Sequence, residues 1–179
     1  MEAKSWITQA STSIRQSTLA NPNRPTMTHR ELCIIAAKYL RTKGISEWKR
    51  CRYAVVELER VGECPDAFGF GNGTTQLIEV KVSRMDFLSD KKKYWRKHPE
   101  YGLGNFRSYL CPEGIIQEKD LPLNWGLLYI LSDGTITVVK KPEYQQSNHM
   151  EEMNLICSIL RRENVKPQVF SYKKYTNQP

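Results

Sequence analysis

A chain of 179 residues suggests one domain, with room for a core that needs no staples, and its 27 Lys plus Arg against 19 Asp plus Glu create a field that favours polyanions, nucleic acid above all. Five cysteines, Cys33, Cys51, Cys64, Cys111 and Cys157, are odd in number and form no C-x-x-C pair, which argues against a disulfide frame or a zinc site and for reduced, mostly buried thiols in a cytoplasmic protein. No apolar run of about 18 residues and no charged-then-apolar leader occurs, so neither a membrane span nor a signal peptide is expected.

Residues 1–26 are rich in Ser, Thr, Asn and Gln and end in Asn21-Pro-Asn-Arg-Pro25, the composition of a flexible or loosely docked N-terminal arm ahead of a domain over 27–179. From Thr28 the pattern becomes helical. Leu32, Ile35, Ala36, Tyr39 and Leu40 recur at helical spacing, Thr28 with Glu31 forms a capping box, and Gly44 supplies a stop. Tyr53 to Val61 then reads as a strand, with Val55, Glu57 and Glu59 on one face and Ala54, Val56 and Leu58 on the other.

The next strand, Gln76-Leu-Ile-Glu-Val-Lys-Val82, carries the strongest chemical signal. Residues two apart on a strand share a face, so Glu79 and Lys81 stand side by side in an otherwise apolar run. Burying a carboxylate and an ammonium there costs free energy unless they pair or serve a purpose. Gly69, Gly71, Asn72 and Gly73 provide the positive-φ residues of a hairpin connection, which makes the segment ending at Asp66 the neighbouring antiparallel strand. Asp66, Glu79 and Lys81 then converge, and two carboxylates beside a lysine are the groups a metal-dependent phosphodiesterase needs. A half-exposed sheet with a weak ion pair is the plainer alternative.

Ser83-Arg-Met-Asp86 again fits a capping box and opens a helix predicted to run through His98, where Pro99 stops it. Phe87, Leu88, Tyr94 and Trp95 share one side of that helix, while Lys92, Lys93, Arg96 and Lys97 form a basic face suited to a phosphate backbone. Phe106 to Leu110 and Gly126 to Leu131 read as strands, and Asp133-Gly134 turns the second into Thr135 to Val139. A final helix over Asn148 to Arg162 is expected, with Met153, Ile156, Cys157 and Leu160 on one stripe. The whole is an α/β domain.

His29, His98 and His149 are isolated in sequence and receive no role. Gly69-x-Gly71-x-Gly73 precedes no helix and reads as a turn rather than a nucleotide loop. For Asp86 and Asp90, helix capping and pairing with nearby lysines are favoured over metal ligation.

Pro65-Asp66 followed by Glu79-x-Lys81, with a helix before and after, resembles the PD-(D/E)xK nuclease superfamily. Glu79-Val-Lys81, Ser83, Asp86-Phe87, Asp90 and Lys92, then Cys111-Pro112, Leu121-Pro122 and Gly126-Leu127-Leu128, are similar to the MmcB-like DNA repair proteins over residues 30–142. The resemblance implies a restriction-endonuclease-like fold, a central mixed β-sheet flanked by helices, and a Mg²⁺- or Mn²⁺-dependent DNA endonuclease or nuclease-like repair factor. It assigns Asp66 and Glu79 as metal ligands, adds the carbonyl of Val80, and gives Lys81 the attacking water. Glu31, Glu57 and Glu59 are candidates for an outer carboxylate. DNA is the expected partner, and a homodimer is compatible with the sequence. The alternative is a catalytically inactive module of the same fold that binds DNA or a protein.

Overall fold

The computed structural model describes residues 27–46, 50–58 and 62–165. The expected arm over 1–26, Glu59 and the end of its strand lie outside those residues.

Helix α1 (His29–Thr42) starts at the expected capping box. The Thr28 hydroxyl accepts from the Glu31 N–H while the Glu31 carboxylate accepts from the Thr28 N–H at 2.7 Å, so two otherwise orphaned donors are satisfied. It ends at Gly44, whose φ of 74° lets its N–H reach back to the Tyr39 carbonyl. Leu32, Cys33, Ala36 and Leu40 form its buried stripe.

The sheet has six strands in the order β1 (Tyr53–Val56), β2 (Ala67–Gly71), β3 (Thr74–Val80), β4 (Phe106–Pro112), β5 (Gly126–Ile130) and β6 (Ile136–Lys140). The first three strands form an antiparallel meander, β4 and β5 join in parallel, and β6 returns antiparallel. Asn72 and Gly73, at φ 62° and 82°, close the β2–β3 hairpin in the left-handed conformations that a tight turn requires. This turn fixes the register at Ala67 opposite Ile78, and so sets Asp66 across from Glu79.

Successive β3 residues serve two cores. Ile78 and Val80 pack with α1, whereas Leu77 joins Phe68, Phe87, Tyr109, Trp125 and Leu127 on the opposite face. Glu79 and Lys81 follow Leu77 onto that second face.

Three expectations are corrected. First, β1 is shorter than its predicted Tyr53–Val61 span because Glu57 takes φ 45° and breaks the alternation. Leu58 therefore packs with Val55 rather than with Ala54 and Val56, and Glu57 turns toward α1.

Second, the helix predicted from Ser83 to His98 is two helices, α2 (Arg84–Asp90) and α3 (Tyr94–Lys97), separated where Lys93 is extended at ψ 145°. Residues six apart lie about 120° apart around a continuous helix. The break is what lets Arg96 turn back onto Asp90 at 2.7 Å. Phe87 is buried as expected, but Leu88 and Tyr94 are exposed.

Third, α4 (His149–Arg162) docks through Glu152, Leu155 and Ile159, leaving Met153, Cys157 and Leu160 exposed. The expected apolar stripe loses because Glu152 has buried donors waiting for it. Its carboxylate accepts from the Gly104 N–H at 2.8 Å and the Thr75 hydroxyl at 2.7 Å.

Of the cysteines, Cys33, Cys51 and Cys111 are buried, while Cys64 and Cys157 are exposed. No helix among the described residues is long and apolar enough to cross a membrane.

Candidate metal centre

The expected strand ending at Asp66 is instead a loop that Asp66 ends as it enters β2, because the turn is confined to Asn72 and Gly73 and Gly69 pairs with Gln76 inside the ladder. Glu79 lies near the end of β3, and Lys81 follows β3 on the same face. The hairpin register brings all three together. The Lys81 ammonium is 3.3 Å from Glu79 Oε2 and 3.8 Å from Asp66 Oδ2, with Asp90 Oδ1 at 3.5 Å and Asp86 Oδ1 at 4.0 Å. Glu79 and Lys81 are buried, and the Asp66 side chain is 17% exposed. Asp66 is pinned from the backbone as well, because its Oδ2 accepts from the Val80 N–H at 2.8 Å.

Burial pushes the Asp66 carboxyl up to about 6, and the neighbouring Glu79 charge adds to that rise against the opposing pull of Lys81. For Lys81, burial alone would lower the value. Glu79, Asp90, Asp66 and Asp86 outweigh it and hold the ammonium above its ordinary range, so Lys81 is a fixed cation at neutral pH.

Behind this triad lies a set of buried ions that sequence reasoning did not anticipate. Arg96, expected on the basic face, has a side chain only 2% exposed and is committed to Glu63 at 2.6 Å, Asp90 at 2.7 Å and Glu79 at 3.3 Å. It also lies over the Trp125 ring at 4.6 Å. Arg96 is therefore removed from the phosphate-facing set. Glu63, its partner, accepts from the Leu103 N–H at 2.7 Å. Asp90 further accepts from the Tyr109 hydroxyl and pairs with Lys93 at 2.8 Å, in keeping with its expected lysine pairing. Burial opposes the Asp90 charge, but Arg96 and Lys81 overcome that and hold its carboxyl below the usual range. Lys92 and Lys97 remain exposed, and Lys93 is half so.

The outer-carboxylate candidates separate. Glu31 is exposed and occupied by the α1 cap. Glu57 is brought close: its N–H donates to the Asp66 carbonyl at 3.1 Å, and its carboxylate lies 3.2 Å from Arg30 and 3.5 Å from His29. His29, given no role from sequence, has Nε2 at 3.5 Å from Asp66 Oδ1. Its available signal was the four-residue spacing to Cys33, which sets both on one face of α1.

The donor set fits a hard divalent cation. Two carboxylates approach across the hairpin, and Glu79 Oε1 is buried with no hydrogen-bond partner, an unusual state for a carboxylate oxygen. Mg²⁺ takes such oxygens with waters and phosphate completing its shell. Val80, whose carbonyl the sequence resemblance adds, is fully buried beside them.

No family model, curated protein or solved structure matches this chain.

Proposed function

We propose that this chain is a Mg²⁺-dependent DNA nuclease, or a nuclease-like DNA repair factor, of restriction-endonuclease-like fold. The observation that carries the reading is the convergence of Asp66, Glu79 and Lys81 with a buried Glu79 oxygen left unpartnered. The mixed sheet, with Glu79 on the inner strand β3 and Asp66 and Lys81 at adjoining strand ends, and the net positive charge support it.

In this reading Asp66 and Glu79 hold the metal. When bound, Mg²⁺ supplies Lewis acidity toward a phosphoryl oxygen and lowers the pKa of a water. Lys81, kept protonated by its acidic neighbours, orients the attacking water through N–H donation and stabilises charge developing on the phosphoryl oxygens; it is no general base. Arg96 and Asp90 act at one remove, fixing Glu79 and Lys81 in place. Lys92 and Lys97 contact phosphates without reading sequence.

Incubation with duplex, branched and single-stranded DNA in Mg²⁺ or Mn²⁺ tests the proposal. Cleavage that disappears in Asp66→Ala and Lys81→Ala is expected, together with a metal-induced rise in melting temperature that Asp66→Asn abolishes and Lys81→Ala largely keeps. Cleavage surviving Asp66→Ala would refute the assignment. Salt-sensitive DNA binding with neither metal response nor cleavage would establish the alternative, an inactive binding module.

A further inference from the structure

We infer that His29, Cys33 and Asp66 form a second cation site, selective for a borderline divalent metal such as Zn²⁺ or Co²⁺, on the α1 side of the sheet. Their ligand atoms all lie within 4.8 Å of one another. His29 Nε2 is 3.5 Å from Asp66 Oδ1 and 3.9 Å from Cys33 Sγ. A tetrahedral zinc with ordinary bond lengths separates such ligands by about 3.3–3.6 Å, so no pair needs to close by more than about 1.5 Å.

The scaffold is built for such a chelate. His29 and Cys33 are one turn apart on α1, and both point at the start of β2. Asp66 is held there by the Val80 N–H through Oδ2, leaving Oδ1 to face the histidine. Nδ1 is 3.5 Å from both Cys33 Sγ and Glu57 Oε1, so a modest turn of the imidazole sets Nε2 toward the metal and leaves Nδ1 with Glu57, the carboxylate–histidine arrangement that orients metal-ligating imidazoles.

Imidazole and thiol donors select a borderline metal over Mg²⁺. Cys33 is fully buried, and its thiol would release its proton to solvent on binding metal. The two cation sites share Asp66, one through each oxygen. The second site stands whether or not the chain cleaves DNA.

Titrating the full chain with Co²⁺ under reducing conditions tests the assignment. One equivalent should produce a near-ultraviolet sulfur-to-cobalt charge-transfer band that Zn²⁺ displaces. Cys33→Ser should lose the band, and His29→Gln, at a partly exposed position that does not threaten folding, should weaken Co²⁺ binding at least tenfold. The double variant Cys64→Ser/Cys157→Ser should retain the band, and so should Glu79→Gln, which separates this site from the proposed nuclease centre. No band, a band that survives Cys33→Ser, or unchanged affinity in His29→Gln would overturn the inference.

Discussion

Glu79 and Glu152 are both buried acids that meet β3, yet they are held in opposite ways. Glu152 is served mainly by neutral donors, the Thr75 hydroxyl and the Gly104 N–H, with His149 3.3 Å from its second oxygen. Glu79 is served by cations. Lys81 and Arg96 each approach its Oε2 to 3.3 Å and Lys93 to 3.9 Å, while Oε1 has no partner. A carboxylate whose oxygens are matched to local donors belongs to the fold's own stability. One surrounded by charge, beside Asp66 and with an oxygen unspent, is poorly optimised for stability, and that is the signature of a group kept for binding or chemistry.

The comparison breaks most readily at Arg96. Arg96→Met should strand Glu63, Asp90 and Glu79 without their common cation and cost about 3–5 kcal/mol in urea unfolding. A loss below about 1 kcal/mol would mean that the ion cluster is loosely built and that Glu79 is not held as described.

Next in size, Glu152→Ala should cost about 2–3 kcal/mol, because the Gly104 N–H and the Thr75 hydroxyl lose their acceptor. Glu79→Gln should cost less than about 1 kcal/mol. It keeps the side chain's shape and removes one negative charge from a cluster in which Glu63, Asp66, Asp86 and Asp90 already face Lys81, Lys93 and Arg96. Equal losses in the two variants, measured by the same unfolding midpoints, would erase the distinction.

The pH dependence sharpens it further. Folding raises the Asp66 carboxyl from 3.8 to about 6, so the folded state binds that proton more tightly than the unfolded chain. The Asp66 contribution to stability is therefore fully present below about 4 and is lost as pH rises through about 6, an effect on the order of 3 kcal/mol. Asp90 has the opposite sign: its carboxyl is held low, so its contribution is present above the ordinary aspartate value and fades as acid is added below it. Subtracting an Asp66→Asn profile from that of the parent should isolate a declining step between pH 4 and 6. A flat difference would place Asp66 in a solvated, structurally idle position.

The smallest stability effect belongs to the exposed lysines. Replacing Lys92 and Lys97 with Gln should move unfolding by less than about 0.5 kcal/mol while reducing the salt slope of DNA binding by about two. A loss confined to one DNA sequence would contradict a phosphate-only role.

How much of this was legible in the chain depends on the range of the determining interaction. The α1 cap, the Asn72-Gly73 turn and the meeting of Asp66 with Glu79 and Lys81 follow from local rules, because a hairpin fixes its own register. Arg96 was misread because four basic residues within six positions look alike in sequence. Which of them turns inward is decided by Glu63, 33 residues earlier, and by the break at Lys93. The docking face of α4 was misread for the same reason, since Glu152 is claimed by Thr75, 77 residues away. His29 carried a readable four-residue spacing to Cys33, but its third neighbour, Asp66, comes from another element.

The strand order of the sheet repeats the order of the chain, so each strand, once made, has its partner already present upstream. During synthesis the β2–β3 hairpin can close as soon as Val80 emerges, which brings Asp66 and Glu79 together before Arg96 has left the ribosome. The nascent hairpin thus passes through an interval in which only Lys81 offsets the repulsion between two acids, before the α3 cation joins it. Divalent cations should shorten that interval. Pulse-labelled hydrogen exchange during refolding would register this as earlier protection of β2 and β3 when Mg²⁺ is present, and equal protection times with and without metal would show that the repulsion never limits assembly.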